Sequence, residues 1–364
     1  MTSILVNSLE ELGRINVLLN KSIPSYRQAY SDRTAWLMAC LSELAYIKFN
    51  PLFSSTERQK WFLDGIEKLV GDNKKSSLIK LIDVIGYDHD EEKNRLEKEL
   101  DVIKIRLVET FDNSGTQAIL VSSDMFIALA FRGTEATSIK DIKADADAKI
   151  RQCETGGRIH SGFNEAFGRV EVEIQNKINA DEFKKKSLFI TGHSLGGALA
   201  TIATKKLSHN GGIAACYTFG SPRVGNDEWI ANIKTPVYRV VNAADCVTML
   251  PPGDEIITSF AWILRLVAWF RIPFISQSSQ SLERWLLSNF KGYLHGGDMR
   301  YMTNCKRGQY REVKLLSSVS LFRIIKGWSI KKLPWKKFLA DHSISIYRKK
   351  LMVIAERRNQ QRSK

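Results

Sequence analysis

Along the 364-residue chain the apolar positions change their period near residue 103. Before it they recur at helical spacing. Residues 8–20 and 31–48 read as helices, the second carrying Ala35, Leu37, Met38, Leu41, Leu44 and Ala45 on one face with Asp32 placed to cap it. Residues 57–85 and 91–101 alternate charged and apolar positions as two more helices, in which Glu91 to Glu99 reads as a solvated face. From Ile103 the period shortens, and 103–108, 116–121 and 125–131 read as strands. The third is apolar throughout, as a strand buried on both faces is. Strands recur at 187–191, 214–219 and 236–241 with helical stretches between them, an alternation that predicts an α/β sheet with parallel central strands.

The stretch 187–207 carries the sharpest chemical signal. Leu188, Phe189, Ile190 and Thr191 form a buried-strand pattern, Gly192-His193-Ser194-Leu195-Gly196 follows, and an Ala-rich helix begins at once. A G-x-S-x-G between strand and helix lifts the serine Oγ out of the sheet on a strained turn, and its glycines let neighbouring backbone pass close. The small residues Gly196, Gly197, Ala198 and Ala200 suit a helix packed tightly on its parent strand. The competing reading is an ordinary turn with an exposed serine.

A serine is a weak nucleophile without a base and an acid to orient that base. With the chain order Ser, Asp, His, the strand ending near Val241 and the loop Asn242-Ala243-Ala244-Asp245 make Asp245 the best acid. Of the six histidines only His295 and His342 lie beyond it. A tetrahedral oxyanion needs N–H donors. The N–H of Leu195 is one, and the turn Phe131-Arg132-Gly133-Thr134 after the buried strand offers Thr134 as the second.

Composition adds less. Hydrophobic residues make up 44% of the chain, enough for a sizeable core, and there are no internal repeats or low-complexity linkers. We therefore expect a helical region at 1–100 packed on the core, a catalytic domain at 101–350 and a basic tail at 351–364. The net charge of +15 is uneven: residues 304–364 carry 17 Lys/Arg against 3 acidic residues, and the rest of the chain is close to neutral. A basic segment of this kind suits an anionic surface or a solvated face. Five dispersed cysteines without C-x-x-C spacing read as free thiols of a reducing compartment. The N-terminus lacks a basic n-region, so no Sec signal peptide is expected; a cytoplasmic or peripheral-membrane protein is, with signal-independent export open.

FRGTE at 131–135, HSGF at 160–163, GHSLGGALA at 192–200, TFGSPRVGN at 218–226, VVNAADCVTMLPP at 240–252 and ADHSISIY at 340–347 together resemble the class 3 lipases, a family of α/β-hydrolases. The resemblance runs from about Tyr30 to about Tyr347. It implies an α/β-hydrolase fold with a mostly parallel central sheet, N-terminal helices and no metal or organic cofactor. It implies Ser194 as nucleophile, Asp245 as acid, His342 as base, and Thr134 with Leu195 as the oxyanion hole. His295 in YLHGG resembles a second family histidine that is usually not catalytic, and ranks as the fallback base; His160 and His193 resemble structural positions.

Two departures from the family pattern stand out. A lid at 136–150 would carry an unusually charged surface. Residues 254–291 form an insert in which IITSFAWILRLVAWFRIPFI at 256–275 nears the roughly 20 apolar residues of a membrane span. Arg265, Arg271 and Pro273 oppose spanning, and a span there would split the acid from the base. Trp and Arg on an apolar hairpin suit instead a water–lipid interface, a lid, a buried cap or a dimer contact. The expected function is lipid carboxylic-ester hydrolysis through an acyl-enzyme, tilted toward phospholipid, with a lipid substrate, a peripheral membrane surface reached through 256–290 and the basic segment, and no nucleic acid. The alternatives are a lipolytic bacterial effector and a catalytically idle lipid-binding relative.

Overall fold

The computed structural model describes residues 3–20, 29–47, 89–133, 150–253, 292–306, 308–319 and 340–361. The expected helix at 57–85, nearly all of the expected lid and the whole insert 254–291 lie outside them.

Ten described strands are β1 (Arg106–Asn113), β2 (Thr116–Ser122), β3 (Phe126–Phe131), β4 (Ile150–Gln152), β5 (Arg158–His160), β6 (Ser187–His193), β7 (Ile213–Phe219), β8 (Val237–Asn242), β9 (Asp298–Met302) and β10 (Leu315–Leu316). Eight of these form one sheet in the order β1-β2-β3-β6-β7-β8-β9-β10; β4 and β5 pair separately. From β3 to β9 neighbours run parallel, and the antiparallel pairs lie at the two edges. The alternation of strand and helix read from the sequence thus appears as a mostly parallel α/β sheet.

Strand β3 shows why its sequence is apolar throughout. Phe126, Ala128 and Ala130 enter the core on one face, and Ile127, Leu129 and Phe131 enter the core on the other. On the first face lie α1 (Leu9–Leu19), α2 (Asp32–Leu44), α3 (His89–Val102) and α7 (Ile344–Gln361); on the second lie α4 (Ser161–Ile178), α5 (Leu195–Lys206) and the short α6 (Asp227–Ala231). All five cysteines are free.

Four details differ from the sequence reading. The strand expected from Ile103 starts at Arg106, because α3 closes with Lys104 at φ 58 and Ile105 N–H bonded to Leu100 O at 3.1 Å, a Schellman-type stop. Ser31, not Asp32, caps α2 by accepting the Thr34 N–H; Asp32 is the first helical residue and pairs with Arg358 at 2.9 Å. Glu99 is not solvated. It is buried and accepts the N–H groups of Ile4 at 2.7 Å and Leu5 at 3.0 Å, while buried Arg348 donates to the carbonyls of the same two residues and pairs with Glu43. Finally, residues 351–361 are not a free tail but the second half of α7, with Leu351, Met352 and Ala355 buried in the first core. Each of these carboxylates and guanidinium groups finds its partner far away in sequence, which local pattern does not report.

Candidate active site

Strand β6 ends at His193 and α5 begins at Leu195, so Ser194 is the whole connection. It sits at φ 58, ψ −129, a conformation costly for a residue with a Cβ, and its N–H is anchored on Phe219 O of the neighbouring strand at 2.9 Å. The flanking glycines make the turn fit. A side chain on Gly192 would run into the Gly196 carbonyl, and one on Gly196 into the Phe131 carbonyl.

The structure brings Ser194, His342 and Asp245 together. Ser194 Oγ lies 2.8 Å from His342 Nε2, and His342 Nδ1 lies 3.0 and 2.9 Å from the two Asp245 oxygens. Asp245 is fully buried, and Ser194 and His342 expose only 3% and 6% of their surface. A carboxylate accepts and does not donate, so Nδ1 carries the proton and Nε2 presents a lone pair to the serine hydroxyl. Asp245 receives two further donors, the Val247 N–H at 3.0 Å and the Tyr347 hydroxyl at 2.6 Å. Burial and the Asp245 charge push the Tyr347 phenol well above its usual range, so it stays a neutral donor.

Of the oxyanion candidates, Leu195 contributes the first N–H of α5, which has no acceptor within the helix and sits at the positive end of its dipole. Gly133 closes against the elbow: a Cβ built on it would stand 3.2 Å from Ser194 Cβ. Thr134, next in the chain, lies outside the described residues.

His295, the fallback base, is elsewhere. Its Nε2 donates to Thr248 O at 2.5 Å, and burial together with Arg239 and Arg223 holds its pKa well below the ordinary value. It braces the acid loop alongside Arg223, which donates to the carbonyls of Met249 at 2.5 Å and Pro251 at 2.7 Å. His160 caps α4 through Nδ1 and stacks on Phe163. His193 is buried; its Nε2 donates to the His342 carbonyl at 2.6 Å, leaving Nδ1 to accept from Tyr46 Oη at 2.8 Å. Burial first, and the His342 ring second, keep it neutral. A cavity of about 530 Å³ adjoins this corner, lined by Tyr46, Ile47 and Ile344 with Glu43, Glu92 and Arg95.

Tyr347, Tyr46, Arg223 and Asn242 are site residues that the sequence reading assigned no role. Tyr347 was visible only as the end of the ADHSISIY motif, and nothing in its spacing from His342 marks it as a donor to Asp245. Among the described residues no group of acidic, His and Cys side chains forms a metal site.

A serine on a strand–elbow–helix turn, a histidine and a buried aspartate arriving later in the chain, and a mostly parallel sheet beneath them define the chain as an α/β-hydrolase. Residues 128–255 match the model of the class 3 lipases. Among curated relatives it is 42% identical over 103 residues to a secreted mono- and diacylglycerol lipase of Fusarium solani, covering 27% of this chain and 31% of that protein. It is 31% identical over 177 residues to the secreted mono- and diacylglycerol lipase MDL3 of Malassezia globosa, covering 42% of this chain and 58% of that protein. The chain thus spans less than two thirds of the length of these relatives. Among solved structures it is similar to the lipase of Rhizopus microsporus var. chinensis (22% identity, TM-score 0.45, 68% of this chain and 76% of that one) and to lipase II of Rhizopus niveus (21% identity, TM-score 0.44, 79% and 94%).

Proposed function

We propose that this chain hydrolyses carboxylic esters of lipids by acyl transfer to Ser194. The observation that carries the reading is the continuous hydrogen-bonded line from Ser194 Oγ through His342 to Asp245. In the first step Oγ attacks the acyl carbon while its proton passes to His342 Nε2. The Asp245 carboxylate, held by three donors, faces the imidazolium that results. Negative charge develops on the carbonyl oxygen, where the Leu195 N–H at the start of α5 and Thr134 act as donors; one such donor is worth about 10²- to 10³-fold in rate. His342 then returns the proton to the leaving alcohol, and water repeats the sequence on the acyl-enzyme. Every step uses side chains and backbone of this chain.

For the substrate we propose partial acylglycerols, in keeping with the mono- and diacylglycerol lipases it resembles in sequence. The apolar, Trp- and Arg-containing segment 256–290 and the basic segment 304–364 support attachment to an anionic lipid surface, although no described helix is long and apolar enough to cross a membrane. The test compares the protein with Ser194→Ala on diacylglycerol, phospholipid and triacylglycerol dispersions. Release of fatty acid from diacylglycerol, lost in the variant, supports the reading. Preference for phospholipid replaces the substrate while keeping the chemistry, and equal release by both proteins overturns the site.

A further inference from the structure

Asp245 and His342 come from loops 97 residues apart, yet the backbone just before each is cross-tied to the other. Asn242, the last residue of β8 and fully buried, makes the tie with both ends of its amide. Its Nδ2 donates to the carbonyl of Asp341 at 2.7 Å, and its Oδ1 accepts from Lys350 Nζ at 2.6 Å. An ammonium group only donates and a carbonyl only accepts, so a single orientation of the amide satisfies both neighbours. Lys350 is itself buried and anchored on Thr303 O at 3.0 Å, beyond the end of β9.

Other bonds run in parallel. The Ala244 N–H donates to Asp341 Oδ2 at 3.2 Å, and the Asn242 N–H donates to Tyr347 Oη at 3.0 Å, whose own proton goes to Asp245. Between Asn242 and Ala244 stands Ala243 at φ 45, its N–H tied to Met302 O at 2.9 Å. A residue with a Cβ stays in that left-handed conformation only where its surroundings over-determine it. The Asp245 loop is therefore held in a strained shape by the end of β9 together with the segment that carries His342.

We propose that Asn242 is a positioning residue for the His342–Asp245 pair: its amide, oriented by Lys350, fixes the backbone of the base loop through Asp341 so that His342 stands between Asp245 and Ser194. The proposal rests on the reading of Ser194, His342 and Asp245 as the reacting groups. A misplacement of about 1 Å at such a site lowers the rate by about 10²-fold.

Asn242→Asp is the discriminating variant. It is isosteric and keeps an oxygen toward Lys350, now as an ion pair, but it turns an acceptor toward the Asp341 carbonyl where a donor stood. Turnover of p-nitrophenyl butyrate and the rate of Ser194 labelling by a fluorophosphonate are measured at a temperature where circular dichroism shows each protein fully folded. The expected result is a kcat lowered about 10- to 100-fold with KM within about twofold, and labelling slowed to a similar extent. A folded Asn242→Asp protein with parental kcat and labelling rate overturns the proposal alone. A parental protein that the probe does not label overturns the site reading, and the proposal falls with it. Should Asn242→Asp fail to fold, Lys350→Met decides: it removes the donor that orients the Asn242 amide and leaves the amide itself in place. A kcat lowered at least about fivefold in the folded variant, with KM within about twofold, is expected; parental kcat and labelling rate overturn the proposal.

Discussion

Gly220 lies directly after β7, at φ 58, beneath the pair that the site reading makes acid and base. A methyl group built on it would stand 2.6 Å from Asp245 Oδ2 and 2.9 Å from His342 Nδ1, where ordinary contact starts at 3.4 Å. Gly220→Ala therefore acts in two ways. The left-handed backbone costs an alanine about 1–2 kcal/mol, and the His342–Asp245 pair must retreat by about 0.8 Å, the shortfall between contact and overlap. The second effect falls on catalysis, at about 10²-fold per ångström. Gly212 supplies the control: it has φ 78 and nothing within 4 Å of a built Cβ, so Gly212→Ala carries the backbone penalty alone. Urea unfolding should show both variants losing at least about 1 kcal/mol. Turnover of p-nitrophenyl butyrate should fall about 30- to 100-fold in Gly220→Ala and stay within about twofold of the parent in Gly212→Ala. Parental turnover in folded Gly220→Ala, or an equal loss in both, would refute the claim that a glycine stands here to make room for the pair.

Other outcomes follow from single contacts. Tyr347→Phe removes a 2.6 Å donor to Asp245 and orphans the buried Asn242 N–H; a stability loss of about 2–4 kcal/mol is expected in urea titration, and a loss below about 0.5 kcal/mol would speak against the contact. His193 is buried and His295 half-buried, and both have pKa values held well below 6.5. The unfolded chain therefore binds protons that the folded one does not, and stability present above about pH 6.5 is lost as pH falls below it, at about 1.4 kcal/mol per pH unit for each histidine. Unfolding midpoints between pH 7 and 5.5 should show this slope, and His295→Gln should remove about one proton's share of it; an unchanged slope would contradict a neutral His295 in the folded protein. Leu351→Ala deletes a fully buried side chain of α7 and should cost about 2–5 kcal/mol, where a solvated tail would register nothing.

The sequence carried the parts of the molecule that depend on local pattern. An apolar run such as 126–131 can be satisfied only between two layers, and the small residues around Ser194 can be satisfied only in a tight strand-to-helix turn, so the sheet and the elbow were legible. Asp245 and His342 were reached by chain order and motif resemblance, and of the expected oxyanion donors Leu195 sits where the elbow puts it. What stayed hidden is what long-range partners decide. Glu99 reads as one more solvated acid of a charged helix until the N-terminal backbone docks on it. The C-terminal segment reads as a basic surface because residues such as Arg348, Lys350 and Arg358 look like solvated charges, yet the first two are buried on distant partners and the third pairs with Asp32. The contacts of Tyr347 and Asn242 exist only once the loops of Asp245 and His342 meet.

The measurement that bears most directly on the whole account is peptide mapping by mass spectrometry after incubation with a fluorophosphonate, for the protein and for His342→Ala. The account predicts a single phosphonyl adduct, on Ser194, formed at least about 10³-fold more slowly when His342 is absent. No adduct on Ser194 in the unmodified protein, or the same labelling rate without His342, would contradict it.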